Sequence, residues 1–258
     1  MYKINTNHVP QFIIGIIIFL SCYISAQPFH KTDISKNQNQ TIIFAGMSWH
    51  TKDSCGSPGP NNWSNSSQNV WVDSLGYLHL KIIKIDNKWY CSEIISDKKM
   101  DYGEYIFSIN SDVAIFDPNA VVGIFLYQDD NHEIDIEFSR WGITSNNLCW
   151  YTVQPVNSFS QASFALENGF ISTTHKILWS KNKIVLQSYT GNYSTIDSSN
   201  FVIGNWVYSG IHNPVPDSVR LHINFWLMNG LPPKNQKNME LIIKSVKIQP
   251  FSHDISNK

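Results

Sequence analysis

His132-Glu133-Ile134-Asp135-Ile136-Glu137-Phe138 places three carboxylates at alternate positions, with isoleucines between them and a phenylalanine closing the run. Read at a period of two, the stretch is a β-strand with one acidic face and one apolar face. The apolar face supplies a core, while three like charges on the other repel one another and add nothing to folding. Such a face is kept where its charges do chemistry or hold a cation. The stretch therefore predicts a strand in a half-buried sheet and a site on its open side.

The same alternation continues outward. Short β-rich runs fall at 77–85, 89–95, 103–109, 121–127, 133–138, 148–153, 176–179, 184–189, 219–227 and 239–248. Between them stand turn formers: Asp86-Asn87, Asp130-Asn131, Ser180-Lys181-Asn182, and Asn229-Gly230 followed by Pro232-Pro233. No long window carries the 3.6-residue period of a helix. Regular strands without helices predict an all-β antiparallel sandwich. The 56–65 stretch, with Gly56, Pro58, Gly59 and Pro60 ahead of Trp63, reads as a long irregular loop bearing an exposed tryptophan.

At 258 residues, 42% hydrophobic and 15% charged, the chain is long enough to bury one substantial core. A net charge of −1 offers no basic patch for nucleic acid or an anionic membrane. Nine Trp, eleven Tyr and fourteen Phe suit strands and cores, and also give flat faces for ligands. At the N-terminus, Lys3 and His8 precede an apolar run over 12–20, and Ser25-Ala26 offers a small-residue cleavage site. That run is too short to insert stably in a bilayer and has the layout of a secretory signal over 1–26. A competing reading makes Phe19-Leu20-Ser21-Cys22 a lipoprotein box, with Cys22 lipidated.

The expected organisation is a polar leader over 27–41, one domain over 42–250 and a tail over 251–258, in a secreted or periplasmic monomer. Export places Cys55, Cys91 and Cys149 in an oxidising compartment, where one pair plus a free thiol is the simplest arrangement. No two of them have metal-binding spacing.

Glycoside hydrolysis needs two carboxyl groups flanking the scissile bond. Cα atoms four apart on a flat strand are separated by ~13 Å, and two long glutamates on a curved sheet can close to the ~5–5.5 Å of retaining enzymes. Asp135 between them would tune which glutamate holds a proton. An acidic strand that is merely solvated is the plain alternative. Calcium binding ranks lower, because three carboxylates on a rigid strand supply part of the six to eight oxygens calcium takes. No cofactor is required, and a structural calcium stays open.

Glu133-Ile134-Asp135-Ile136-Glu137-Phe138 resembles the E-[IL]-D-[IF]-E-F signature of glycoside hydrolase family 16, in the uninterrupted form of lichenases and xyloglucan endotransglycosylases. The likeness extends to Phe44–His50 as a first strand, Asn69-Val70-Trp71-Val72 with Gly76–Leu80 as a hairpin, Trp89–Glu93, and Asn224–Leu227 with Asn229-Gly230. It implies a jelly-roll β-sandwich of two antiparallel sheets with a concave substrate cleft. It also implies retaining cleavage of a β-glycan, with Glu133 as nucleophile, Glu137 as general acid/base and Asp135 assisting. Cys91 matches a family disulfide position, for which Cys55 is the partner the resemblance suggests. Two departures weigh against strict lichenase specificity. Asn131-His132 stands where lichenases have Trp-Asp, and Ile95 stands where they carry Arg after the binding glutamate.

A β-glycan presents apolar ring faces and a rim of hydroxyls, so aromatic plates with amide and carboxylate neighbours are the expected binders. Trp63, Trp141, Trp150 and Trp226 are the candidate plates, and Asn62, Glu93, Gln154 and Asn224 the candidate rim. Asn224 and Trp226 share a strand face. His175 and His222 read as structural. The functions weighed are a secreted retaining endo-β-glycanase acting on a polysaccharide, a β-glucan in first place, a transglycosylase of the same fold, and a glycan-binding sandwich without activity.

Overall fold

The computed structural model describes residues 40–167, 169–197 and 200–251. The signal segment, Cys22, the leader up to residue 39 and the tail beyond Phe251 lie outside the described residues.

In chain order the strands begin with β1 (Thr41–Phe44), β2 (Met47–Thr51), β3 (Cys55–Gly56), β4 (Asn61–Trp63), β5 (Val70–Val72) and β6 (Leu78–Ile85). Next come β7 (Lys88–Lys99), β8 (Gly103–Ile109), β9 (Ala120–Asp129), β10 (His132–Ser139), β11 (Cys149–Val153) and β12 (Gln161–Phe164). The last are β13 (Thr173–Trp179), β14 (Ile184–Thr190), β15 (Val202–Tyr208), β16 (Arg220–Leu227) and β17 (Met239–Pro250).

They form the two antiparallel sheets of a jelly-roll sandwich. The first runs β1-β2-β7-β16-β9-β10-β11-β12. The second runs β5-β6-β17-β8-β13-β14-β15. The β6–β7 hairpin carries the chain between the sheets, and short β4 lies parallel to β7. Asp86 and Asn87 turn that hairpin with φ of 46° and 64°. Both residues tolerate the left-handed region a two-residue turn requires.

Alternation decides which side faces inward. Ile134, Ile136 and Phe138 of β10 are buried against the second sheet, joined by Trp49, Ile94, Ile124 and Ile223 from neighbouring strands. Each such side chain stabilises the fold by roughly 1.5–3 kcal/mol when fully buried. A polar cluster also crosses this core. Tyr151 and His175 both bond the Ser188 hydroxyl, at 2.6 and 2.7 Å, and His175 Nε2 meets Thr173 at 2.8 Å. Its buried groups are mutually satisfied, which is what makes them tolerable there.

β12 and β15 are strands that periodicity alone does not predict. Gly204, a turn former in isolation, sits mid-strand because a Cβ there would lie 2.2 Å from the Phe164 ring. Close approach of the two sheets, rather than a turn, selects the glycine.

Candidate active site

Glu133, Asp135 and Glu137 lie on the outer face of the first sheet, opposite the core-facing isoleucines. From Glu133 to Ser139 the pairing of β10 with β9 is uninterrupted, so no bulge re-aims the acids. Both glutamates keep part of their side chains open to solvent, whereas Asp135 is 4% exposed.

Strand register arranges the outer face in rows. Trp150, Glu137, Gly123, Asn224 and Glu93 are successive cross-strand partners. So are Thr152, Asp135, Phe125, His222 and Ile95. Glu133, Tyr127 and Arg220 make a third row. Gly123 is needed in the first, because a Cβ there would meet Asn224 Oδ1 at 2.5 Å. Asn224 Oδ1 is itself buried without a hydrogen-bond partner among the described residues. An unpaired buried carbonyl is costly, and a substrate hydroxyl would relieve it.

Loss of water raises all three acids, because the charged form is the one that burial penalises. Burial lifts Glu133 to about 7, with the charges of Asp130 and Glu93 adding to it and a hydrogen bond from Asp135 opposing it. Burial, then the charge of Glu133, lifts Glu137 to about 8. Asp135 is held well above the usual carboxylate range by burial, then by Glu133 and Glu137. The Asp135–Glu133 bond lowers Glu133 and raises Asp135, so it favours the proton on Asp135.

The structure distributes the expected sugar contacts unevenly. Trp226 and Trp141 meet edge to face with centroids 6.3 Å apart, next to the Glu137 row. Trp141 holds a left-handed backbone, φ 49°, immediately after the acidic strand. Trp150 stands beside Glu137, its indole N–H donating to Ser139 O at 2.9 Å. Gln154 sits at the end of β10, where its backbone N–H donates to Glu133 O, but its side-chain carbonyl is taken by Val156 N–H.

Three expectations are corrected. Trp63 is 2% exposed, with its N–H donating to Gly56 O, so it fills the core and is no platform. Its burial follows from β4 docking along β7, which places it opposite Cys91. Asn62 donates to Trp89 O and accepts from the Cys55 thiol, so its amide is spent inside the loop. Cys55 and Cys91 are free thiols. Cys55 pairs with Asn62 and Asn62 with Tyr90, so β4 intervenes. Two strand spacings are roughly 9–10 Å, beyond the ~7 Å a disulfide spans between Cα atoms. Burial pushes the Cys91 thiol up to about 12.

Glu93 lies on the site face but is 3% exposed, and both its oxygens are engaged. Oε2 accepts from Lys52 Nζ at 2.7 Å, and Oε1 lies 2.8 Å from His222 Nδ1. Burial alone would raise it, but His222 and Lys52 outweigh that and hold it below the usual range. Lys52 also lies 4.1 Å from the Trp63 ring and donates to Ser57 O, tying the 52–60 segment to the site.

Sequence reasoning missed Phe125, Tyr127, Gly123 and Lys52, and took His222 for structural. Phe125 stacks on His222 at 4.9 Å, and Tyr127 meets the same ring edge-on at 5.4 Å. These are aromatic faces on the strands beside the acids. Alternation within Gly123-Ile124-Phe125-Leu126-Tyr127 puts all three odd positions on one face, but which face depends on register with β10.

No family model matches the chain, and no curated protein matches it. Solved structures do. A β-1,3-glucanase from Mycobacterium marinum superposes with a TM-score of 0.58 at 16% identity, over 78% of this chain and 90% of that one. A Bacillus licheniformis β-glucanase gives 0.56 at 18%, over 79% and 92%. The chain has the β-glucanase fold. A third neighbour, from Mycobacterium tuberculosis, is described as a pseudo β-1,3-glucanase, with 0.57 at 15% over 79% and 91%. A β-glucanase fold thus comes with and without that activity, so function has to be argued from the site.

Proposed function

We propose that this chain is a secreted, retaining endo-β-glycanase of the family 16 type, acting on internal bonds of a polysaccharide, a β-glucan in first place. The observation that carries it is the placement of Glu133, Asp135 and Glu137 on one outer strand face, with Trp150 beside Glu137 and the Trp141–Trp226 pair next to its row. Asp135 holds a proton and gives its hydrogen bond to Glu133, while Glu137 is kept protonated by burial and by the charge of Glu133.

In the first step Glu137 passes its proton to the leaving glycosidic oxygen as the Glu133 carboxylate attacks the anomeric carbon. A glycosyl ester forms on Glu133 and the aglycone leaves. In the second step Glu137, now ionised, takes a proton from water, whose oxygen displaces Glu133 and regenerates both acids. Two displacements return the original β configuration. Trp141, Trp150 and Trp226 would bear sugar faces beside Glu137, with the unpaired carbonyl of Asn224 accepting a hydroxyl.

The test is a panel of β-glucans assayed for new reducing ends, with the anomeric configuration of fresh product read by NMR. The β anomer appearing first supports the proposal. The α anomer, or turnover by Glu133→Gln at the parent rate, contradicts it.

A further inference from the structure

Away from the cleft, the sandwich ends on β12 in the first sheet and on β15 in the second, each paired on one side only among the described residues. Gly204 of β15 lies against the Phe164 ring of β12, so the two edges make up one side of the molecule. The sequence on this side is depleted of charge. Between Arg140 and Glu167, and again between Asp197 and Asp217, it holds no Asp, Glu, Lys or Arg. The two stretches are 26 and 19 residues long, and at the chain's own 15% they would hold about seven charged residues.

A sheet edge offers unpaired N–H and C=O groups to any passing strand, and lysine or proline ordinarily guards it. β15, Val-Ile-Gly-Asn-Trp-Val-Tyr, has seven residues with no charge and no proline. Val207 on this strand, Phe201 just before it, and Ile211 and Val215 just after it are all exposed. Val156 and Phe159, in the loop from β11 to β12, are exposed as well, Phe159 to 84%. Pro155, Ile211 and Val215 line one hollow, which joins the loops that flank the two edges. Exposed apolar groups on a surface without charges have the make-up of an interface centre, not of solvated surface.

We propose that this side joins two copies of the chain, with β15 of one pairing antiparallel to β15 of the other about a two-fold axis. An uncharged strand is complementary to itself, because the two-fold brings no like charges together. A charged partner would find no ion pair here, which makes a second copy the fitting occupant. Full-length pairing sets Asn205, the middle residue of β15, opposite Asn205 of the second copy. β15 is roughly 23 Å long and the side about 20 Å across its two layers, so the pair buries near 900 Å² in total. That area, with main-chain hydrogen bonds added, suits a reversible dimer dissociating in the micromolar range. The catalytic acids face outward from the first sheet, so the inference stands whether or not the chain cleaves glycan.

The experiment is sedimentation velocity of the full chain from low to several hundred micromolar, with a melting curve for every variant. The unaltered chain should pass reversibly from monomer to dimer. Asn205 is exposed and its side chain accepts only from Gln187 Nε2, at 2.9 Å, so Asn205→Lys and Asn205→Asp should each stay folded. Each should weaken the dimer about tenfold or more, because like charges then face each other at its centre. Mixing the two variants should restore association as a heterodimer. Ile43→Lys, at an exposed apolar position on β1, should leave the dimer unchanged.

A monomer at every concentration overturns the proposal, and so does a dimer indifferent to Asn205→Lys. Association weakened equally by Ile43→Lys places the contact elsewhere and overturns it too. Two monomeric variants that stay apart when mixed contradict the self-pairing of β15, and species larger than a dimer contradict the closed two-fold.

Discussion

Asp135 hydrogen-bonds Glu133, two positions back on the same strand face, from a buried position, while Glu133 keeps part of its side chain in solvent. That bond makes Asp135 the holder of a proton rather than a third charge. Asp135→Asn keeps a donor beside Glu133 and should lower activity modestly. Asp135→Ala removes it and should cost about a hundredfold in kcat, within the usual range for a group that manages a proton. Equal losses in the two variants, measured at saturating substrate, would contradict the assignment.

Activity should follow a bell against pH. Below its maximum Glu133 takes up a proton and ceases to be a nucleophile. Above it Glu137 loses the proton the leaving group needs. With Glu133 raised to about 7 and Glu137 to about 8, the maximum is expected near neutrality. The two limbs belong to the interacting trio rather than to single residues. A profile of kcat/KM with its maximum below pH 5 would show that the buried acids are not the working groups.

The same shifts tie stability to pH. Glu137 titrates near 4.5 when unfolded and near 8 when folded, so between those values the folded chain keeps a proton the unfolded chain releases. Its contribution is fully present below pH 4.5 and is lost as pH rises toward 8, at ~1.4 kcal/mol per unit before compensation by neighbouring acids. Glu137→Gln carries no such charge and should raise the melting temperature at pH 8 while changing it little at pH 4.5. His175 acts in the opposite direction. Burial lowers it to about 3, so its contribution is lost as pH falls from 6.5 toward 3. Melting curves of the parent and Glu137→Gln across this range check both signs.

Gly123→Ala puts a methyl carbon 2.5 Å from Asn224 Oδ1 and 3.3 Å from the Phe125 ring. The Asn224 side chain must then swing aside, at a cost of about 1–3 kcal/mol for overpacking. The variant should melt lower but remain folded, and its KM should rise more than its kcat falls. An unchanged KM would mean that Asn224 does not touch the glycan.

The acidic strand was legible because one period-two pattern specifies both the inward Ile134, Ile136 and Phe138 and the outward acids. The Asp86-Asn87 turn was legible because both residues accept a positive φ. Trp63 was not, since its burial depends on β4 lying along β7, a pairing between segments with no local signal. Phe125, Tyr127 and His222 join the site through register among β10, β9 and β16, which alternation within each strand leaves undetermined. The Cys55–Cys91 pairing failed for a similar reason: chain separation does not disclose that β4 lies between them.

The central claim is that Glu133 becomes covalently bonded to sugar. Intact-mass measurement of the chain after incubation with a 2-deoxy-2-fluoro-β-glucoside bearing a good leaving group, followed by peptide mapping, tests it directly. One glycosyl adduct on Glu133, absent in Glu133→Gln, is the predicted result. An adduct on another residue, or none from a chain that is cleaving glucan, would contradict it.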